Sequence, residues 1–369
     1  MDASARPLRV LIMAAELSPY AKTGEVADVV SALATALGQL GHDVRVAIPR
    51  YADIALEQFA LTPLIEALPT PMERHQDIAR IYQARMGDVP VYLVDSAKYF
   101  GRETMNGHMD DAERFIFYCR AALEALRRPE LDWRPDLLHC HDWQTAIVPN
   151  WLRTLYADDP FYHDIATVFT VHRASHQGVF GYRVLQVAGI ETYGFIYHSD
   201  LADLNDLVNL LGRGIYLADA VTTVSEHYAQ ELQTPEFGER LDPLLREKAG
   251  RFFGILNGID TDAYNPATDL CIASRYDLDA LHLRPANKRA LQEAAGFEVN
   301  PAVPLLGMVS RLSDEKGFDL LANIFDPLMA NLNVQVAILG VGEPKYHTLL
   351  AELKARYPHR LGVWLTFND

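Results

Sequence analysis

The stretch of residues 9–48 most constrains the fold, because a strand pattern, a loop, a helix pattern and a second strand pattern follow one another there. Residues 10–15 form an uninterrupted apolar run, which is typical of a strand buried on both faces of a parallel sheet. From Val26 to Leu40 the apolar residues recur at helical spacing, and Gly41 follows where a helix C-terminal cap is expected. The sequence therefore predicts a βαβ unit. Its first crossover loop lies at the carboxyl end of the sheet, where open α/β folds bind ligands.

Strand and helix patterns continue to alternate along the chain, which predicts an α/β fold with mostly parallel sheets. Strand patterns occur at 88–95, 135–142, 166–171, 220–224, 252–256, 304–310 and 334–339, and helical patterns at 110–126, 143–155, around 291 and at 318–329. The irregular stretch 264–281 marks a domain boundary, so we predict domains at 1–262 and 263–369. The second domain is small for a Rossmann-like unit, and we expect its sheet to be incomplete.

Composition excludes several classes of partner. The 369-residue chain has a formal net charge of −16 and a pI of about 5.2, which argues against a nucleic-acid or anionic-membrane surface. Cys119, Cys140 and Cys271 are too few and too scattered for a disulfide framework or a metal cluster. The sequence shows neither a signal-peptide core nor an apolar stretch of membrane-spanning length. We therefore predict a soluble cytoplasmic protein, and the sequence does not predict its oligomeric state.

Polar residues recur at the predicted carboxyl ends of different strands. They are Glu16 with Lys22, His141 with Asp142, His172, Asn257 with Asp260, and Ser310-Arg311 with Lys316. In a two-domain α/β protein we expect these loops to face one cleft.

Two of these loops carry cations suited to phosphate. Lys22 and Gly24 precede a helix N-terminus, where free amides and a positive charge suit a diphosphate oxygen. An exposed turn lysine explains that loop equally well. Arg311 and Lys316 lie around a strand-to-helix turn and would stabilise a leaving phosphate. A solvated pair beside two acidic residues is the alternative.

Other chemistries have weaker support. His141, Asp142 and His172 together suggest a hydrolase, but no Gly-x-Ser-x-Gly elbow accompanies them. The histidines lack a metal-ligand spacing such as His-Glu-x-x-His, so we predict no metal. Gly340 and Gly342 form only part of a dinucleotide fingerprint, so we predict no cofactor.

A series of short motifs occurs in a fixed order along the chain: Glu16 with Ser18-Pro19 and Lys22-Thr23-Gly24, Ala27-Asp28-Val29, His141-Asp142-Trp143, Val168–His172, Gln177-Gly178, Ala218-Asp219, Val221–Ser225, Thr234–Gly238, Gly254–Asp260, Asn265–Asp269, and Ser310-Arg311-Leu312 with Lys316–Leu321. In these motifs the chain resembles bacterial glycogen synthase and plant starch synthase, which are retaining glucosyltransferases with two Rossmann-like domains (GT-B). The resemblance implies transfer of glucose from ADP-glucose to the non-reducing end of an α-1,4-glucan, in glycogen biosynthesis.

The resemblance also implies how the donor is bound. It places Lys22 and the Gly24 amide at the sugar nucleotide. It places Arg311 and Lys316 at the diphosphate. Asn257 would lie beside the transferred glucose.

The remaining implied roles concern the transferred sugar and the acceptor. His172 would lie by the glucose and, with Arg311 and Lys316, form the catalytic set, while Glu16 and Asp142 would help to place the acceptor. Departure and attack in such retaining enzymes occur on one sugar face without a securely identified enzyme nucleophile. Catalysis would then rest on orientation and on neutralising the leaving diphosphate.

This sequence departs from the family pattern in three places. Glu25 replaces the second glycine of Lys-Thr-Gly-Gly, and its carboxylate would oppose a diphosphate unless it points away. Arg173 replaces the asparagine that follows the family's histidine. The chain also ends before the family's C-terminal glutamate pair, so we expect an incomplete chain, and the sequence does not predict whether it is active alone. The alternative function is a non-catalytic glucan- or nucleotide-binding protein of the same fold, and UDP-glucose is the alternative donor.

Overall fold

The computed structural model of the protein describes residues 6–73, 75–196 and 207–366. The chain divides into two compact units, Met1–Ile259 and Asp260–Asp369, called unit 1 and unit 2 below. The predicted domain boundary, after residue 262, lies slightly later in the chain than this division.

Unit 1 contains the strands β1 (Arg9–Met13), β2 (Asp43–Pro49), β3 (Thr62–Met72), β4 (His75–Met86), β5 (Val89–Asp95), β6 (Leu137–His141), β7 (Ala166–Val171), β8 (Val179–Gly181), β9 (Leu207–Asn209), β10 (Ala220–Thr223) and β11 (Phe252–Gly254). Nine of these strands form one sheet in the order β11-β10-β7-β6-β1-β2-β5-β4-β3. Neighbours from β11 to β5 are parallel, whereas β4 pairs antiparallel with β5 and β3 with β4. Strands β8 and β9 form a separate antiparallel pair. The predicted α/β fold with mostly parallel sheets is confirmed.

Helices separate most of the parallel strands of unit 1. They are α1 (Glu25–Gln39), α2 (Ala97–Phe100), α3 (Asp111–Leu126), α4 (Asp142–Thr145), α5 (Ile147–Arg153), α6 (Arg183–Val187), α7 (Leu210–Leu217), α8 (Glu226–Glu231) and α9 (Asp242–Glu247).

The opening βαβ unit has the predicted form. Residues Val10–Met13 of β1 are each at most 2% exposed, as expected for a strand covered on both faces. Helix α1 ends as predicted: Gly41 has a φ of +93°, a region that favours glycine. Acidic Glu25 and Asp28 lie in its first turn, where they suit the positive end of the helix dipole.

Three neighbouring strands determine where the candidate site lies. Strand β6 pairs in parallel with β1 on one side and with β7 on the other. Their carboxyl ends therefore meet at one edge of the sheet. The loops that follow β1, β6 and β7 are neighbours at that edge.

Unit 2 is a smaller α/β layer. Its elements are α10 (Pro285–Ala294), β12 (Leu305–Val309), α11 (Phe318–Asn331), β13 (Gln335–Leu339), α12 (Pro344–Arg356) and β14 (Leu361–Trp364). The strands form a parallel sheet in the order β12-β13-β14. Its apolar cluster includes Leu312, Phe318, Phe325 and Leu350.

Candidate active site

The loop between β1 and α1 is held in place by the buried carboxylate of Glu16. One carboxylate oxygen accepts hydrogen bonds from the backbone N–H groups of Thr23 and Gly24, at 2.6 and 3.2 Å. The other accepts from the Thr23 hydroxyl at 2.6 Å. Hydrogen bonds to a carboxylate are stronger than neutral ones, so Glu16 fixes the shape of this loop. A direct role for Glu16 at an acceptor stays a prediction.

Lys22 and Gly24 lie on the loop that Glu16 fixes. The Lys22 ammonium lies 3.2 Å from the carboxylate of Asp28 in the first turn of α1, and its side chain is 23% exposed. Gly24 is the N-cap residue of α1, and no atom lies within 4 Å of the position that a Cβ would take. A ligand can thus approach the Gly24 backbone closely, although its N–H already donates to Glu16.

The ends of β6 and β7 are joined by His141, Asp142 and His172. The His141 Nδ1 and His172 Nε2 atoms lie 2.8 Å apart and share a hydrogen bond. The Asp142 carboxylate accepts a hydrogen bond from the His172 backbone N–H at 2.8 Å. Asp142 itself has a φ of +55°, a conformation that aspartate tolerates better than most residues. These contacts fix the start of the loop that carries His172.

His139 extends this pair into a row of three imidazoles, which the sequence analysis missed. The His139 and His141 rings stack at 4.4 Å between centroids, and the His141 and His172 rings at 5.1 Å. His139 Nε2 also lies 2.7 Å from the Thr170 hydroxyl. Residues 139 and 141 are two apart on β6, so the two-residue period of a strand predicts that they share a face.

Burial keeps two of these imidazoles neutral near pH 7. It lowers the pKa of His139 to about 4, with a further contribution from nearby His172. It also lowers the pKa of His141 well below its usual value, helped by the two neighbouring imidazoles. Burial raises the pKa of the Asp142 carboxyl, against the opposing effect of His172.

We expect the histidine row to make the protein less stable as the pH falls from 7 to 5. In this range the unfolded chain protonates His139 but the folded protein does not, so the free energy of unfolding decreases with falling pH. The expected loss from His139 is roughly 1–2 kcal/mol. Urea unfolding of the parent and of His139→Asn at pH 7, 6 and 5 tests this. The free energy of unfolding of His139→Asn should fall less steeply with decreasing pH than that of the parent. An equal fall in both proteins would contradict a neutral His139 in the folded protein.

Two sequence departures, Glu25 and Arg173, contact each other in the structure. The Arg173 guanidinium donates to the Glu25 carboxylate at 3.0 Å. Glu25 begins α1 and Arg173 directly follows His172, so the pair joins the loops after β1 and β7. Whether the Glu25 carboxylate points away from a bound diphosphate stays a prediction.

Asn257 lies at the end of unit 1, in the loop after β11, and is exposed. It follows a third parallel strand at the same end of the sheet as His141 and His172. Its proposed contact with a sugar stays a prediction.

Arg311 and Lys316 belong to unit 2, at the carboxyl end of β12. Both are exposed, and within the described part of the chain neither side chain forms a hydrogen bond or an ion pair. The acidic neighbour Asp314 pairs instead with Lys345 at 2.8 Å. The two cations are therefore not neutralised by Asp314, and a contact of both with one phosphate stays a prediction.

Outside this site, the described residues form a separate cleft, but they contain no metal-ligating cluster and no helix suited to crossing a membrane. A cleft of about 710 Å³ lined by Arg153, Tyr216, Asp219 and Lys248 lies at the amino ends of β7 and β10, the opposite end of the sheet. The described residues contain no cluster of three or more metal-ligating side chains. Among them, no helix has both the length and the apolar content that a membrane crossing requires.

The fold and the site together define a class of protein. Two α/β units, each with a mostly parallel sheet and polar residues at the carboxyl ends of its strands, are typical of the GT-B fold. Comparison with solved structures supports this class. An α,α-trehalose-phosphate synthase from Burkholderia vietnamiensis, 14% identical, matches with a TM-score of 0.50 over 99% of this chain and 73% of that one, which shows the fold alone.

The family follows from closer relatives. A family model described as starch synthase catalytic domain matches residues 9–247. Glycogen synthase from Moorella thermoacetica is 41% identical over 98% of this chain and 73% of its own length. The catalytic domain of starch synthase IV from Arabidopsis thaliana, bound to ADP and acarbose, is 30% identical with a TM-score of 0.91 over 99% of this chain and 75% of that one. The chain belongs to the glycogen and starch synthase family and is a hexosyltransferase.

Proposed function

We propose that this chain transfers glucose from ADP-glucose to the non-reducing end of an α-1,4-glucan, with retention of the anomeric configuration. The observation that carries the proposal is the Lys22 loop, which Glu16 holds at the N-terminus of α1. A cation and a helix N-terminus at one loop suit a diphosphate. The starch synthase IV structure described as bound to ADP and acarbose supports the two substrate classes.

The donor groups act by neutralising charge. As the bond between glucose and ADP breaks, negative charge grows on the leaving diphosphate. Lys22 would stabilise that charge, and contact of Arg311 and Lys316 with the diphosphate is a separate proposal for unit 2. Asn257 would contact the sugar, and Gly24 would let the backbone approach the nucleotide closely.

The groups at β6 and β7 act by orientation. His172, held by His141 and Asp142, would lie against the transferred glucose. Glu16 and Asp142 would place the acceptor through the loops whose backbone they hold. The site needs no enzyme nucleophile, since attack on the same face as departure requires only that acceptor and donor be held together and that water be excluded.

Turnover is the direct test of the proposed function. We expect the chain incubated with ADP-glucose and glycogen to release ADP in step with glucose incorporation into glycogen. Omitting glycogen should abolish incorporation, and replacing ADP-glucose by UDP-glucose should slow it. Faster transfer from UDP-glucose would overturn the donor assignment. ADP binding without incorporation would favour the non-catalytic alternative. A cytoplasmic location stays a prediction from the sequence.

A further inference from the structure

The ion pair between Glu25 and Arg173 spans the candidate donor site of unit 1. Its members are 148 residues apart in sequence, and their facing atoms lie 3.0 Å apart. Glu25 directly follows the Lys22–Gly24 loop, and Arg173 directly follows His172. The pair therefore connects the part of the site that would bind phosphate with the part that would bind the sugar.

Glu25 poses an electrostatic problem for an anionic ligand. Its carboxylate is attached to the first residue of α1, beside the loop where Lys22 supplies positive charge. A carboxylate near a bound diphosphate opposes binding through like-charge repulsion. The guanidinium of Arg173 draws the carboxylate toward the loop after β7 and offsets its charge.

The ion pair also completes a series of contacts across three strands. Glu16 holds Thr23 and Gly24 at the start of α1. Asp142, after β6, holds the backbone of His172. Glu25 and Arg173 join these two groups, so the loops after β1, β6 and β7 are connected through side chains.

We propose that Glu25 and Arg173 are positioning residues of the donor site. Arg173 acts through Glu25: it keeps the Glu25 carboxylate away from the diphosphate and braces the Lys22–Gly24 loop against the His172 loop. This inference rests on the proposed donor function of that loop. It assigns Arg173 no direct contact with the nucleotide.

A double-mutant cycle separates an indirect role of Arg173 from a direct one. The four proteins are the unsubstituted chain, Glu25→Gln, Arg173→Gln and the double variant. The readouts are the Kd for ADP by calorimetry, and the KM for ADP-glucose and kcat with glycogen. Glu66→Gln is the matched control, because Glu66 forms a comparable 2.9 Å ion pair with Arg80 elsewhere in unit 1.

We expect Arg173→Gln alone to weaken ADP binding roughly fivefold, because it removes the guanidinium charge that lies 3.0 Å from the Glu25 carboxylate and offsets it. In the Glu25→Gln background the same substitution should change the Kd by less than about twofold. Arg173→Gln should change the Kd for ADP and the KM for ADP-glucose more than it changes kcat. The control Glu66→Gln should change none of the three.

Two results would overturn the proposal. If Arg173→Gln weakened ADP binding equally in the unsubstituted chain and in the Glu25→Gln background, Arg173 would contact the nucleotide directly. No change in either background would mean that the pair has no influence on the site. Failure of the unsubstituted chain to bind ADP would instead refute the proposed donor function, and that outcome is distinct from both.

Discussion

Replacing Lys22 with alanine is expected to lower kcat/KM for ADP-glucose by about a hundredfold or more. Removing one group that stabilises charge developing on a leaving group costs about that much in other enzymes. The Lys22 ammonium lies on the loop that Glu16 holds, and it is partly exposed beside Asp28. A cation in that position can turn from Asp28 toward an incoming diphosphate. Steady-state kinetics of ADP release, with glycogen saturating, measures the effect.

Two control variants make the Lys22 result interpretable. Lys98→Ala removes an exposed lysine of α2 that pairs with Asp77 of β4, and its rate should stay within about twofold of the parent. Asp28→Asn keeps Lys22 and removes the carboxylate charge that lies 3.2 Å from its ammonium, so donor binding should be unchanged or tighter. Thermal unfolding of Lys22→Ala should match the parent, because partly exposed ion pairs contribute little to stability. An unchanged rate in a folded Lys22→Ala protein would remove Lys22 from the donor site.

The sequence predicted the parallel core of the fold because burial determines its pattern. Strand β1 is covered on both faces, so its residues form an unbroken apolar run. Helix α1 is covered on one face, so its apolar residues recur with helical period. Serine is a favoured N-cap residue, and the hydroxyl of Ser225 accepts the Tyr228 N–H at 2.9 Å at the start of α8.

The antiparallel hairpin of β3 and β4 was missed for a physical reason. Strand β3 contains Pro63, Pro69 and Pro71, which lack the N–H that a central strand must donate. Proline is tolerated where one side of a strand has no partner strand, and β3 is the terminal strand of the nine-stranded sheet. The sequence shows the prolines, but it does not show that the strand lies at an edge.

The site was predicted in part. Strand ends can be located from local pattern, so Glu16, Asp142 and His172 were expected to be neighbours, and the structure brings them to adjacent loops. The contact between Glu25 and Arg173 could not be predicted, because no local pattern relates residues on loops of different strands. The two departures are 148 residues apart in sequence, yet they form one ion pair.

Gly340 is required for close packing of the backbone in unit 2. The pattern Gly340-Val341-Gly342 partly matches a dinucleotide fingerprint, but the structure gives a packing reason for it. A Cβ on Gly340 would lie 1.9 Å from the carbonyl oxygen of Ser310, the residue before Arg311. Backbone, not a flexible side chain, occupies that space. Only glycine therefore lets the chain after β13 pass so close to the chain after β12.

Gly340→Ala is expected to destabilise unit 2 by roughly 3 kcal/mol, because the backbone at Ser310 must move by about 1 Å to accept the methyl group. Gly307→Ala is the matched control on neighbouring β12, since no atom lies within 4 Å of its Cβ position, and its effect should stay below about 1 kcal/mol. Hydrogen exchange of the amides in Gln335–Leu339 reports on unit 2 alone. Since Ser310 precedes Arg311, the same shift should lower turnover in Gly340→Ala and not in Gly307→Ala. Equal exchange rates in the two variants would show that the backbone at Ser310 moves to accept the methyl group without destabilising unit 2.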